Sequence, residues 1–182
     1  LILTSNFSPI FWSVKFLEYF FSNKKHLFKK LIILFLKGES DKNINQSVKL
    51  YINFLFKKKK IQKVWNYLIK YRRKNFKIIL ASSSIEPVVK EISRKINAKY
   101  ISSVLELKKN KYTGNVLSDP IDNKTRYLKL IGIDSKAINL FISDNFEDLD
   151  LIKNSKKGIA ISHSSRNLAF WKKNKIKDLL CI

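Results

Sequence analysis

Two carboxylates, Asp144 and Asp148, stand just past the apolar run 138–142, which is broken only by Asn139. That run has the length and residue types of a buried strand, and Leu149, Leu151 and Ile152 then read as one face of a helix. In an open α/β sheet, ligands bind outside the carboxyl ends of the strands. Two carboxylates within one turn of such an end suit Mg²⁺ held beside a phosphate. The plainer alternative is that they cap and charge the first turn of the next helix. Two further groups fall at comparable places. Ser82-Ser83-Ser84 follows the apolar run 78–81, where hydroxyls and the N–H groups of a helix start can cradle a phosphate; Ser84 could equally be only the helix cap. Lys124, in Asp122-Asn123-Lys124-Thr125, precedes another helical pattern and would be a cation for the same anion, unless it is one more solvated lysine. Hydroxyl, cation and acidic metal site, in that order, describe phosphoryl transfer, in which catalysis is mostly positioning and charge neutralisation.

The elements that must position these groups change in kind near residue 75. Residues 8–70 carry apolar residues at helical spacing, as in Phe11, Val14, Leu17 and again Val48, Tyr51, Ile52, Leu55. Gly38-Glu39-Ser40-Asp41 breaks the pattern, and Ser40 or Asp41 can cap the next helix. From 71 to 182 short apolar strands alternate with amphipathic helices: a strand at 78–81, a helix with Pro87 in its first turn, a short strand at Tyr100-Ile101, a hairpin joining 104–107 to 112–116, a helix through Tyr127 and Leu128, and strands at 138–142 and 159–161. Such alternation implies a Rossmann-like parallel sheet with helices on both faces. The expected architecture is an α/β core over 71–182 with a small helical cap region at 8–70.

Composition narrows the partners. At 182 residues the chain can bury one sizeable core. Its net charge of +23 invites a nucleic-acid or anionic-membrane reading. Almost all of that charge is Lys spread through a sequence rich in Ile and Asn, which reads as compositional bias and a solvated basic surface, so no specific nucleic acid is expected. No apolar run approaches the ~20 residues of a membrane span. Cys181 stands alone, which excludes an intramolecular disulfide and fits a cytoplasmic location. Nothing in the pattern reports oligomeric state.

The blocks Ile79-Leu80-Ala81-Ser82-Ser83-Ser84-Ile85-Glu86, Leu105-Glu106 with Tyr112-Thr113-Gly114, Lys124, and Ser143-Asp144-Asn145-Phe146-Glu147-Asp148 together resemble the haloacid-dehalogenase (HAD) superfamily, in particular the branch containing phosphoserine phosphatase. The resemblance covers residues 70–168. It implies that Ser82, with Ser83, binds the phosphoryl group, that Lys124 neutralises it, that Asp144 coordinates Mg²⁺, and that Asp148 supports the metal or the lysine. One departure is Ser143, where the family usually has Gly, a steric rather than a chemical change on this reading. The helical region 8–70 would contain the cap that selects substrate.

The family's chemistry rests on a first motif, Asp-x-Asp-Gly-Thr, whose first Asp is the nucleophile and whose second is the general acid and base. That motif does not occur in these residues. In one register Leu1-Ile2-Leu3 is the first core strand, and Thr4 and Asn6 stand for the nucleophile and the acid/base. In the other the motif lies just upstream of Leu1, residues 1–7 lead into the helix, and the described sheet lacks its middle strand. The second is favoured, because the chain opens on Leu rather than Met. The expected function is therefore a Mg²⁺-dependent phosphatase of a small phosphorylated metabolite, in a chain that lacks its Asp nucleophile. The alternatives are an inactive member binding a phosphorylated ligand or protein, and a basic nucleic-acid or membrane-surface protein.

Overall fold

A computed structural model describes residues 25–58, 60–121 and 123–182. Both N-terminal registers, and the helical pattern before residue 25, lie outside the described residues. Three helices come first: α1 (Lys25–Phe35), α2 (Asp41–Lys58) and α3 (Gln62–Arg73). The hydroxyl of Ser40 accepts the N–H of Asn43 at 3.2 Å, so Ser40 is the residue that caps α2. Asp41 in its first turn and Lys57 and Lys58 in its last complement the helix dipole. Val48 and Ile52, one turn apart, are its buried residues.

Then come β1 (Ile79–Ile85), α4 (Glu86–Lys95), β2 (Lys99–Lys108), β3 (Lys111–Ser118), α5 (Lys124–Leu130), β4 (Phe141–Ser143), α6 (Leu149–Asn154), β5 (Gly158–Ser162), α7 (Ser165–Lys173) and β6 (Leu179–Cys181). Tyr100 and Ile101 are not a separate strand but the start of the long β2. The β2–β3 hairpin turns at Lys109 and Asn110, both at positive φ (50° and 59°), the backbone that a two-residue type I′ turn requires. Tyr112, on β3, joins this hairpin to the helical layer: its hydroxyl donates to Asp41 at 2.7 Å, and its ring packs with Ile33 of α1 and with Leu105.

The strands form two three-stranded sheets rather than one. In the first, β1 and β2 are parallel and β2 and β3 antiparallel; in the second, β4, β5 and β6 are all parallel. One core spans both, because Ile101, Leu128 and Leu151 bury together with Ile79 of β1 and Phe141 of β4 around them. β1 and β4 each have one edge that pairs with no strand among the described residues. Between them lies a cavity of about 600 Å³, bordered by 78–81 on one side and 140–143 on the other. A residue inside a packed sheet fills roughly 3.3 × 4.8 × 10 Å, about 160 Å³, so the cavity has room for one strand of about four residues.

The second sheet is most buried along its central strand. Ile159, Ala160 and Ile161 of β5 are buried, and Trp171 of α7 closes over them with its indole N–H on the Ile161 carbonyl at 3.1 Å. β5 starts at Gly158 because α6 crosses there: a Cβ at this position would overlap the backbone carbonyl of Ile152. Gly158→Ala is therefore expected to destabilise at the upper end of the ~1–3 kcal/mol typical of overpacking, measured by urea unfolding.

Candidate active site

The chain brings Lys124 and Asp148 into one buried pair. Lys124 opens α5, where Asn123 caps the helix by accepting the N–H of Arg126, and its stem runs into the core. Its Nζ donates to Asp148 Oδ1 at 2.8 Å and Oδ2 at 2.7 Å, with side-chain exposures of only 8% and 4%. Asp148 precedes α6 but makes no cap hydrogen bond with its side chain, so the capping alternative does not hold for it. Ser143, at the end of β4, donates its hydroxyl to Asp148 Oδ2 at 2.6 Å and accepts the N–H of Asn145 at 3.1 Å. Ser143, expected to be a steric departure only, therefore takes part through its hydroxyl. Both oxygens of Asp148 are engaged by Lys124 and Ser143, an arrangement that suits support of the lysine. An ammonium has three donors, and the two spent on Asp148 leave Lys124 one more.

Asp144 stands apart, 60% exposed, with His163 Nε2 at 3.2 Å from its Oδ2. His163 follows β5, so it reaches the same strand ends from the neighbouring strand. Sequence reading passed over it; the available signal was its place two residues past the apolar run 159–161. Among the described residues no three His, Cys, Asp or Glu side chains gather as a metal site. A single exposed carboxylate at a strand end fits Mg²⁺ as one ligand of an ion that keeps several waters, with further oxygens needed from elsewhere.

The serines lie at the end of β1. Ser82 accepts the N–H of Ser84 on its hydroxyl at 3.1 Å. Ser84 does not cap the following helix, which begins at Glu86 with Ile85 at the cap position and no side-chain cap hydrogen bond. No hydrogen bond links Ser82 to Lys124, Asp144 or Asp148 among the described residues. The two loops nevertheless converge, since Ser83 and Ser84 line one cavity of about 250 Å³ together with Asn145 and Glu147.

Lys29 of α1 borders the same cavity and belongs to a cluster that the sequence pattern did not reveal. Its ammonium donates to Asp119 at 2.6 Å and to the fully buried Ser103 hydroxyl at 2.5 Å. Ser103 also lies 2.9 Å from the Ser83 carbonyl, so a helix of the first layer is tied to the serine loop. Partial burial pushes the Asp119 carboxyl up, but hydrogen bonds from Lys29, Ser103 and the Ile121 N–H outweigh it and hold it below the usual carboxylate range. A depressed folded value contributes stability above the unfolded pKa of about 3.9, and that stability is lost as pH falls through the folded value. The urea midpoint is accordingly expected to fall as pH drops below about 5, and to fall less in Asp119→Asn, compared against the parent over the same pH series.

Solved structures show the fold to which this α/β scaffold belongs: it is that of the HAD-like hydrolases. A crystal structure of a protein of unknown function from Bordetella pertussis Tohama I superposes with a TM-score of 0.70 at 13% identity, covering 85% of this chain and 73% of that one. A HAD family hydrolase from Salmonella enterica serovar Typhi gives 0.55 at 18% identity, covering 83% and 50%. A probable phosphoserine phosphatase from Vibrio cholerae gives 0.56 at 16% identity, covering 78% and 43%. The chain thus spans about half the length or less of the last two. No protein-family model matches the sequence, and comparison with curated proteins finds no match.

Proposed function

We propose that this chain carries the phosphate- and metal-binding half of a Mg²⁺-dependent phosphomonoester hydrolase for a small phosphorylated metabolite, akin to phosphoserine phosphatase. The nucleophilic carboxylate would arrive on a strand seated between β1 and β4. The observation that carries this reading is the buried Lys124–Asp148 pair at the carboxyl end of β4, beside that cavity. Burying an ion pair is costly, and a purely structural role is served as well by apolar residues. A lysine held by two of its donors, with a third left over, is instead suited to a substrate oxygen.

In this mechanism Ser82 and Ser83 hold two phosphoryl oxygens, and Lys124 takes a third with its remaining N–H. Asp148, oriented by Ser143, keeps the lysine charged and aimed. A carboxylate oxygen attacks phosphorus and the ester oxygen leaves, taking a proton from the neighbouring acid. Water then cleaves the acyl phosphate and releases inorganic phosphate. Mg²⁺, held in part by Asp144, would neutralise charge on the transferring group. Phosphoryl transfer asks for little beyond positioning and charge, which these residues supply.

The experiment adds a strand ending in Asp-x-Asp-Gly-Thr ahead of Leu1 and measures Mg²⁺-dependent hydrolysis of p-nitrophenyl phosphate. Turnover supports the proposal. A folded, Mg²⁺-loaded protein inactive on every phosphomonoester tried would favour the second reading, a binder of phosphorylated ligands. That reading starts from the sequence itself, in which no Asp-x-Asp-Gly-Thr motif occurs.

A further inference from the structure

Positive charge is not spread evenly over this chain. Residues 42–85 contain twelve Lys and Arg and no Asp or Glu, so a quarter of the sequence carries more than half of the net charge of +23. A uniform compositional bias does not produce such a gap in the acids. None of the basic residues of this block forms an ion pair among the described residues. Its described basic residues lie on α2, on α3 and in the segments that follow each of them, outside the strands of the α/β core, and the proposed hydrolase site uses none of their charges. At the C-terminal half of α2 the charges flank exposed apolar side chains. Leu50 is 64% exposed and Phe54 44%. They lie one turn apart on one helix face, which continues into Lys57 and Lys58, with Lys60 just beyond the helix end.

We propose that this face docks on an anionic lipid surface, with Leu50 and Phe54 entering the headgroup layer and Lys57, Lys58 and Lys60 bound to lipid phosphates. The chemistry favours a membrane over a nucleic acid on two counts. Single-stranded nucleic acid is held by aromatic faces on which bases stack. The nearby Trp65 is not presented that way: Lys60 sits 4.9 Å over its ring, and Phe56 packs edge-on against it at 6.1 Å. The exposed Leu50 gives a base or a phosphate nothing to bind, whereas an apolar residue beside lysines suits the boundary between acyl chains and headgroups. Lysine stems extend along apolar surface while their charges reach the headgroup phosphates. No helix among the described residues is long and apolar enough to cross a membrane.

The test is co-sedimentation with vesicles of phosphatidylglycerol mixed with phosphatidylcholine, against pure phosphatidylcholine, at about 0.15 M salt. Binding is expected only to the anionic vesicles. Each lysine near such a surface contributes roughly fivefold in affinity, so Lys57→Glu/Lys58→Glu/Lys60→Glu should weaken binding by about a hundredfold or more. Leu50→Ser/Phe54→Ser should weaken it by about tenfold or more while leaving the charge unchanged. All five side chains are exposed, and circular dichroism is expected to show both variants folded like the parent. Absence of binding to anionic vesicles overturns the proposal. So does binding that ignores Leu50→Ser/Phe54→Ser. Should a duplex or single-stranded oligonucleotide, run in parallel, bind more tightly than the vesicles and lose affinity in the lysine variant alone, the face is a nucleic-acid surface instead.

Discussion

Asp148→Ala is expected to destabilise the folded chain by about 3–5 kcal/mol, because it leaves the Lys124 ammonium charged and unpartnered in a site from which water is excluded. The side chain it removes accepts two N–H bonds from Lys124 and one O–H from Ser143, all at 2.6–2.8 Å. With about 2–4 °C of melting temperature per kcal/mol for a chain of this size, the midpoint should drop by roughly 10 °C. Asp148→Asn keeps an acceptor and the shape of the group but loses the charge, and should fall between the parent and the alanine variant. The double replacement Lys124→Met/Asp148→Leu removes both charges and should recover most of the loss, since apolar residues of similar size often match a buried ion pair in stability. Urea unfolding of the four proteins checks this. A single alanine variant within about 1 kcal/mol of the parent would mean that the pair does not hold β4 and α5 together. A stable double variant unable to bind phosphate would show, in turn, that the charges are retained for ligand binding rather than for the fold.

In the strand-completed protein, Asp144→Asn is expected to lower kcat for p-nitrophenyl phosphate by about 10²–10³-fold, with KM changed much less. Asp144 is 60% exposed, so its loss should scarcely affect folding, and the deficit should be one of chemistry. An amide in its place supplies one neutral oxygen where the metal would have a charged one, so excess Mg²⁺ should restore part of the rate if the defect is metal affinity. Lys124→Met should lower kcat comparably without any rescue by Mg²⁺, because it removes charge neutralisation and not a metal ligand. His163→Ala tests the residue beside Asp144. If Asp144→Asn retains full activity, the metal is held elsewhere and the assignment of Asp144 fails.

Much of this was legible in local pattern. The change from helical spacing to short apolar runs near residue 75 marks the passage from α3 to β1, since a strand presents alternate faces and a helix presents every third or fourth residue. Ser40 as a helix cap and the hairpin turning before Lys111 follow from interactions within a few residues of one another, whereas the strand before the carboxylates is only Phe141–Ser143 and half-buried, shorter and wetter than the apolar run 138–142 suggests. What local pattern could not supply were the partners. Lys124 meets Asp148 across 24 residues, and Lys29 meets Asp119 across 90. Nothing in the spacing of Ser143 distinguishes a steric filler from a hydroxyl that binds Asp148. The same holds for His163, which comes beside Asp144 only because β4 and β5 pair in parallel, with Ser143 opposite Ala160. The division of the strands into two sheets, with a cavity between β1 and β4 wide enough for one more, is likewise a tertiary fact. A strand's sequence shows which of its faces is buried, but its edge partners are selected by packing across the whole core.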